Sequence, residues 1–264
     1  MKFEAKYIHD TLITGVFFDN DDVLYRAPKD DQDYHQVAAV RAVQQQFPDM
    51  ADKQLLRLLE KSQESGKGSL DIFVDRFDAD PQKLRKDHYK NLIKLTKEFP
   101  QFFEEDESAY GDIAQLRIAG INTHIITHGN PEWTEYTTSQ NERALSDFFQ
   151  NKNYTTKDEM PNHSGKNRTD IYEYALNKMG ATQNPTEKRG KGFAMIEDTM
   201  KNLQAAKELG MMTILINRAE LPAKDIADYV DITVNTSQEA VQAILLSNAH
   251  LERQTSFTLS SLDT

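Results

Sequence analysis

One short apolar run, Val16-Phe17-Phe18, stands alone near the N-terminus, and some 100 residues, about 80 of them a mostly helical break, separate it from the next candidate strand. After that gap the pattern changes. "INTHIIT", "GFAMIED", "MTILI" and "VDITVN" read as strands. The helical stretches "ESAYGDIAQLRIAG", "TDIYEYALNKMG", "MKNLQAAKELG" and "SQEAVQAILLSNA" alternate with them. Strands separated by helices predict a parallel sheet covered on both faces. A lone first strand followed by a long helical stretch predicts an inserted domain. The expected fold class is therefore α/β: a Rossmann-like parallel sheet with helices on both faces and an inserted helical domain. The expected boundaries are 1–28 and 104–264 for the core and 29–103 for the insert.

Local signals agree. In "YHQVAAVRAVQQQF", Val37, Val40 and Val43 recur at helical spacing, and Pro81 opens "PQKLRKDHYKNLIKLTKEF" at a favoured first helical position. Gly120, Gly180 and Gly210 read as helix stops. The loop 182–192 reads as a polar surface excursion, and the tail from about Asn248 as a patternless end that frays.

The composition excludes several classes. The 264 residues contain no cysteine, so disulfides and thiolate metal sites are excluded. Net charge is −11 and no basic stripe is present, so no nucleic-acid partner is expected. No apolar run reaches membrane-spanning length and the N-terminus lacks a signal-peptide core, so a cytoplasmic protein without a membrane partner is expected. Nothing in the sequence points to an oligomeric state.

The first strand ends in "DNDD", residues 19–22. Clustered carboxylates repel one another and are costly to desolvate unless they share a cation. In parallel sheets, ligands bind beyond the carboxyl ends of the strands. Three strands here end in polar clusters: "DNDD", "THGN" at 127–130 and "EDT" at 197–199. "GKN" at 165–167 precedes a helix. Phosphoryl transfer wants such a set. A carboxylate attacks phosphorus, a second acid moves protons, Mg²⁺ takes oxygen ligands, and a hydroxyl and a lysine hold phosphate oxygens.

The pieces "VFFDNDDVLY", "IITHG", "GKNRTDIYEYALNKMG" and "FAMIEDTMKNLQAAKELGMMTILI", in this order, resemble the haloacid dehalogenase superfamily. The position of the insert resembles its helical-cap subgroup, and the motifs are similar to the pyrimidine 5'-nucleotidase-like branch. The resemblance implies Asp19 as nucleophile and Asp21 as general acid/base. It implies Thr127, His128 and Lys166 as phosphate-binding residues, and Asp19, Asp21, Glu197 and Asp198 as Mg²⁺ ligands. Phe73 and Arg76, in "KGSLDIFVDRF" of the insert, are candidate substrate contacts. Dehalogenase members replace the second aspartate, so Asp21 favours a phosphatase or phosphomutase over carbon–halogen chemistry, and the main expectation is a phosphatase acting on a small phosphorylated metabolite. Departures from the family pattern are Asp22, where Gly or Asn is usual, Val23 for Thr, His128 for Asn and Asn167 for Pro. The competing readings are a sugar phosphomutase and a non-hydrolytic domain that stores phosphate on aspartate.

Overall fold

The computed structural model describes residues 10–25, 34–64, 70–98, 107–139, 145, 148–149, 153–160, 165–181, 187–218 and 220–260. They form two compact units. The expected boundaries at 28/29 and 103/104 lie outside the described residues.

The first unit is built on a six-stranded sheet. Its strands are β1 (Gly15–Phe18), β2 (Asn122–Ile126), β3 (Tyr154–Thr155), β4 (Phe193–Glu197), β5 (Met212–Ile216) and β6 (Ile232–Val234). The order is β3-β2-β1-β4-β5-β6 and every pairing is parallel. The isolated apolar run is thus a central strand, buried along its whole length. Such a strand has to be apolar on both faces. Successive side chains point to opposite faces. Val16 and Phe18 therefore join one core cluster with Ile125, Ile196 and Ile214, and Phe17 joins the other with Ile126, Met195 and Leu215.

Helices close both faces. The cluster around Val16 and Phe18 takes in Ile113 and Leu116 of α5 (Glu107–Ile118) and Val241 and Ile244 of α9 (Ser237–Ser260). The cluster around Phe17 takes in Ile171 and Ala175 of α7 (Thr169–Lys178) and Leu203 and Ala206 of α8 (Leu203–Glu208). The chain reverses from helix to strand through glycine. Gly120 has φ +75° and Gly210 has φ +84°, conformations open to Gly at no steric cost. At each, a backbone N–H reaches back to close the helix end: Ile121 N to Leu116 O at 2.9 Å and Met211 N to Ala206 O at 3.1 Å.

The expected fraying after Asn248 is corrected: α9 continues to Ser260. Asn248 itself is a docking residue. Its Oδ1 accepts from Ile13 N and its Nδ2 donates to Ile13 O, both at 2.8 Å, which ties the helix to the chain entering β1.

The second unit holds α1 (Tyr34–Gln46), α2 (Asp52–Glu64), α3 (Asp71–Phe77) and α4 (Pro81–Glu98), together with Gly129–Thr137. Ala42, Val43, Leu55, Leu59, Phe73 and Leu84 make its core. Pro81 takes the first position of α4, and Asp80 caps that helix: its Oδ1 accepts from Gln82 N at 2.9 Å and Lys83 N at 3.0 Å. In α6 (Pro131–Thr138), Asn130 Oδ1 caps Trp133 N at 2.8 Å, and Trp133 stacks against Tyr89.

Candidate active site

The register of the sheet sets the site. Phe18 lies level with Ile125 of β2 and Ile196 of β4, so the residues that follow these strands come out side by side at one edge. Asp19 is held there by its own N–H, which donates to Ile196 O at 2.9 Å. Thr127 follows β2, fully buried, with its N–H on Thr155 O at 3.0 Å. Glu197 closes β4, fully buried, and Asp198 follows it.

Lys166 arrives from the turn before α7 and joins two of these ends. Its Nζ lies 2.6 Å from Asp19 Oδ2 and 2.6 Å from Glu197 Oε2. The ammonium is 1% exposed, so all its charge is spent on these carboxylates. Burial works against that charge, but the attractions of Asp19 and then Glu197 outweigh it, and the Lys166 pKa is raised. Asp19 Oδ1 accepts from Asn20 N at 2.7 Å, and Glu197 Oε1 accepts from Thr199 N at 3.1 Å.

One lysine does not neutralise this set. Carboxylate oxygens of Asp19, Glu197 and Asp198 lie within 4.8 Å of one another. Burial, then the charge of Glu197, holds the Asp19 pKa well above the usual carboxylate range. Burial also raises Glu197, and burial followed by Asp19 pushes Asp198 up to about 6. Three converging carboxylates against one ammonium leave an excess of negative charge. An oxygen-only donor set of that kind fits a hard divalent cation such as Mg²⁺.

Asp21 stands apart from that group. Its carboxylate accepts a hydrogen bond from Tyr25 OH and one from Thr127 Oγ1 at 3.3 Å. The structure thus brings Asp21 to Thr127 rather than into the three-carboxylate cluster, where the resemblance had it as a metal ligand. Tyr25 was not singled out from the sequence. Burial, then the Asp21 charge, raises its pKa, so it stays a donor to Asp21.

His128, expected at the phosphate, makes a main-chain contact. Its Nε2 accepts the backbone N–H of Lys166 at 3.0 Å. Burial, then Lys166, pushes its pKa down to about 2, which matches a neutral ring used as an acceptor. Asp22 has φ +57°, a left-handed conformation favoured by Gly and Asn. The preference for Gly or Asn at that position is therefore a backbone demand, which Asp also meets.

The two insert candidates lie in the second unit. Phe73 is fully buried and packs with Phe47 and Phe77, so core packing accounts for it. Arg76 is exposed on α3.

Comparison with known proteins gives a consistent result. The model of the haloacid dehalogenase-like hydrolase family matches residues 13–210. Glyceraldehyde 3-phosphate phosphatase from Methanocaldococcus jannaschii is 24% identical over 249 residues, covering 88% of this chain and 97% of that protein. Among solved structures, CbbY from Rhodobacter sphaeroides in complex with phosphate has a TM-score of 0.58 at 19% identity, covering 86% of this chain and 96% of that one. A HAD hydrolase of family IA, variant 3, from Entamoeba histolytica has a TM-score of 0.60 at 16% identity, covering 88% and 99%. Among the described residues no helix is long and apolar enough to cross a membrane.

Proposed function

The chain belongs to the haloacid dehalogenase-like hydrolases, and from that premise we propose that it is a Mg²⁺-dependent phosphatase that hydrolyses a small phosphomonoester through an aspartyl-phosphate intermediate on Asp19. The observation that carries this reading is the ion pair of Asp19 with a fully buried Lys166 at the carboxyl end of the central strand, beside Glu197. Residues 29–103, which make up most of the second unit, are the inserted cap domain in this reading.

Asp19 attacks phosphorus, its oxygen–phosphorus bond forms and the ester oxygen–phosphorus bond breaks. Asp21 gives its proton to the departing oxygen. Water then attacks phosphorus, returns a proton to Asp21 and releases phosphate from Asp19. The Tyr25 and Thr127 hydroxyls keep Asp21 oriented for both transfers. Lys166 balances charge beside the nucleophile. Asp19, Glu197 and Asp198 would hold the divalent cation, which supplies positive charge to the phosphoryl oxygens when bound.

The test is phosphate release from a panel of nucleoside monophosphates, sugar phosphates and an aryl phosphate, with Mg²⁺ and with EDTA. Release that needs Mg²⁺ and is lost in Asp19→Asn is expected. Undiminished release by Asp19→Asn would overturn the mechanism, and isomerisation of a hexose phosphate without free phosphate would establish a mutase instead.

A further inference from the structure

In the second unit, α1 and α4 carry a polar pocket of about 410 Å³, lined by Arg41, Gln44, Gln45, Asn91, Lys94 and Glu98. That volume lies within the range of pockets that hold small metabolites. We propose that it binds a small oxyanion: a compact polar metabolite carrying a phosphate or carboxylate group.

Three observations converge. The first is Asn91. It is only 8% exposed, its Oδ1 accepts from Gln45 Nε2 at 3.4 Å, and its Nδ2 has no hydrogen-bond partner. Buried amide donors in native proteins are nearly always satisfied, and an exception that lines a pocket marks a place where an acceptor binds.

The second is the charge of the lining. Arg41 and Lys94 share the lining with one acid, Glu98, whose Oε2 is 3.6 Å from Arg41, and Gln44 Nε2 donates to a second acid beside it, Asp52, at 2.5 Å. That pair is half-exposed and loosely made, so Arg41 keeps guanidinium donors for a ligand. Lys94 is exposed at the pocket.

The third is the helix that carries the pocket. α4 holds six basic residues, Lys83, Arg85, Lys86, Lys90, Lys94 and Lys97, against two acids, Asp87 and Glu98. The whole chain has a net charge of −11. Lys83 is paired with Asp87 and Lys97 lies over the Tyr136 ring, so the charge that attracts an anion at the pocket itself is that of Arg41 and Lys94. A donor-rich, cationic lining selects oxyanions over cations or apolar ligands.

The test uses the full chain in EDTA, titrated with phosphonoacetate by calorimetry. Without a divalent cation, the carboxylates around Asp19 repel an anion, so binding reports the pocket on α1 and α4. One molecule bound per chain is expected, with the same affinity in Asp19→Asn. Lys94→Glu, at an exposed position that does not endanger folding, and the isosteric Asn91→Asp should each weaken binding by roughly tenfold or more, the effect of one lost charge-assisted contact. No binding up to about 10 mM, an affinity near the floor for specific recognition, overturns the proposal. Equal binding by wild type and both variants overturns it as well.

Turnover with Mg²⁺ then separates two sources of the anion. A higher KM in Lys94→Glu, confined to esters with a second anionic group, identifies the far end of the substrate. A phosphonoacetate effect on hydrolysis of a phosphomonoester with an uncharged alcohol part, absent in Lys94→Glu, identifies a separate effector. The calorimetric arm involves no turnover, so its failure is distinct from failure of the phosphatase reading.

Discussion

His128 accepts the backbone N–H of Lys166 through Nε2 at 3.0 Å, so the ring that follows Thr127 positions the lysine that grips Asp19. The lysine is held at both ends: main chain on His128, ammonium on Asp19 and Glu197. His128→Leu removes the acceptor and leaves the Lys166 N–H unsatisfied, at a cost of about 1–3 kcal/mol. With the nucleophile pair loosened, kcat should fall roughly tenfold or more. His128→Gln, whose side-chain oxygen can accept the same bond, should recover part of it. Because the ring stays neutral down to about pH 2, the pH–rate profiles of wild type and His128→Gln should be parallel between pH 5 and 8. A new inflection near pH 6.5 in wild type alone would contradict this role.

Lys166→Met leaves Asp19 and Glu197 adjacent and buried with no ammonium between them. Removing one partner of a buried pair costs about 3–5 kcal/mol. The two carboxylates already bind protons more tightly in the fold than in the unfolded chain. Their protonation therefore favours the fold, and stability falls as pH rises. The variant should be weakest at pH 8 and recover toward pH 5. Thermal denaturation of both proteins at the two pH values is the measurement. A deficit that grows on acidification would overturn the argument. Phosphatase activity should be lost at every pH.

The main elements of the core and its acids were legible because they are local signals. A wholly apolar strand, an acid at its end and the glycines that follow α5, α7 and α8 need no tertiary knowledge, and Asp19, Glu197 and Asp198 do converge. What stayed hidden depends on contact. β3 is only Tyr154–Thr155, too short to show alternation. α6 begins at Pro131 after a capping Asn130, a start signal present in "NPEW" but followed by only eight helical residues. Asp21 reads as one more acid in "DNDD", and only the fold shows its carboxylate on the hydroxyls of Tyr25 and Thr127. The bond from the Lys166 N–H to the His128 ring is likewise a contact between residues 38 apart, with no local sign in the sequence. Phe73 is an aromatic residue whose burial decides its role.

Asp22 tests whether conformation or charge sets that position. At φ +57° the residue is in left-handed backbone, and its carbonyl accepts from Arg218 Nε. Asp22→Asn should leave stability within about 0.5 kcal/mol, since Asn tolerates this conformation as Asp does. Asp22→Val should cost roughly 1–2 kcal/mol from the β-carbon clash. In a chain of this size that is a fall in Tm of about 2–8 °C. Equal melting of Asn and Val variants would show that the backbone demand is absent.

Acid should unfold this protein through its histidines. Burial, as the leading cause, pushes His88 and His124 down to about 3, and His128 to about 2. Each is neutral in the fold, but the unfolded chain takes up a proton near pH 6.5. The unfolded state thus binds more protons, and stability drops as pH falls through 6.5 and on toward 3. At pH 5 the loss is about 2 kcal/mol per histidine. Asp198 opposes it. With a folded pKa of about 6, it gains a proton in the fold first and returns a little over 1 kcal/mol at pH 5. A variant isolates the histidine contribution. His124 contacts Thr155 Oγ1 through Nε2 at 2.9 Å and meets the Phe17 ring edge-on. His124→Gln can keep the polar contact without a titrating ring. It should be less stable than wild type at pH 7 through lost packing, yet lose about 2 kcal/mol less between pH 7 and 5. Denaturant unfolding of both proteins at the two pH values measures the difference, and equal losses would show that His124 does not titrate between the two states.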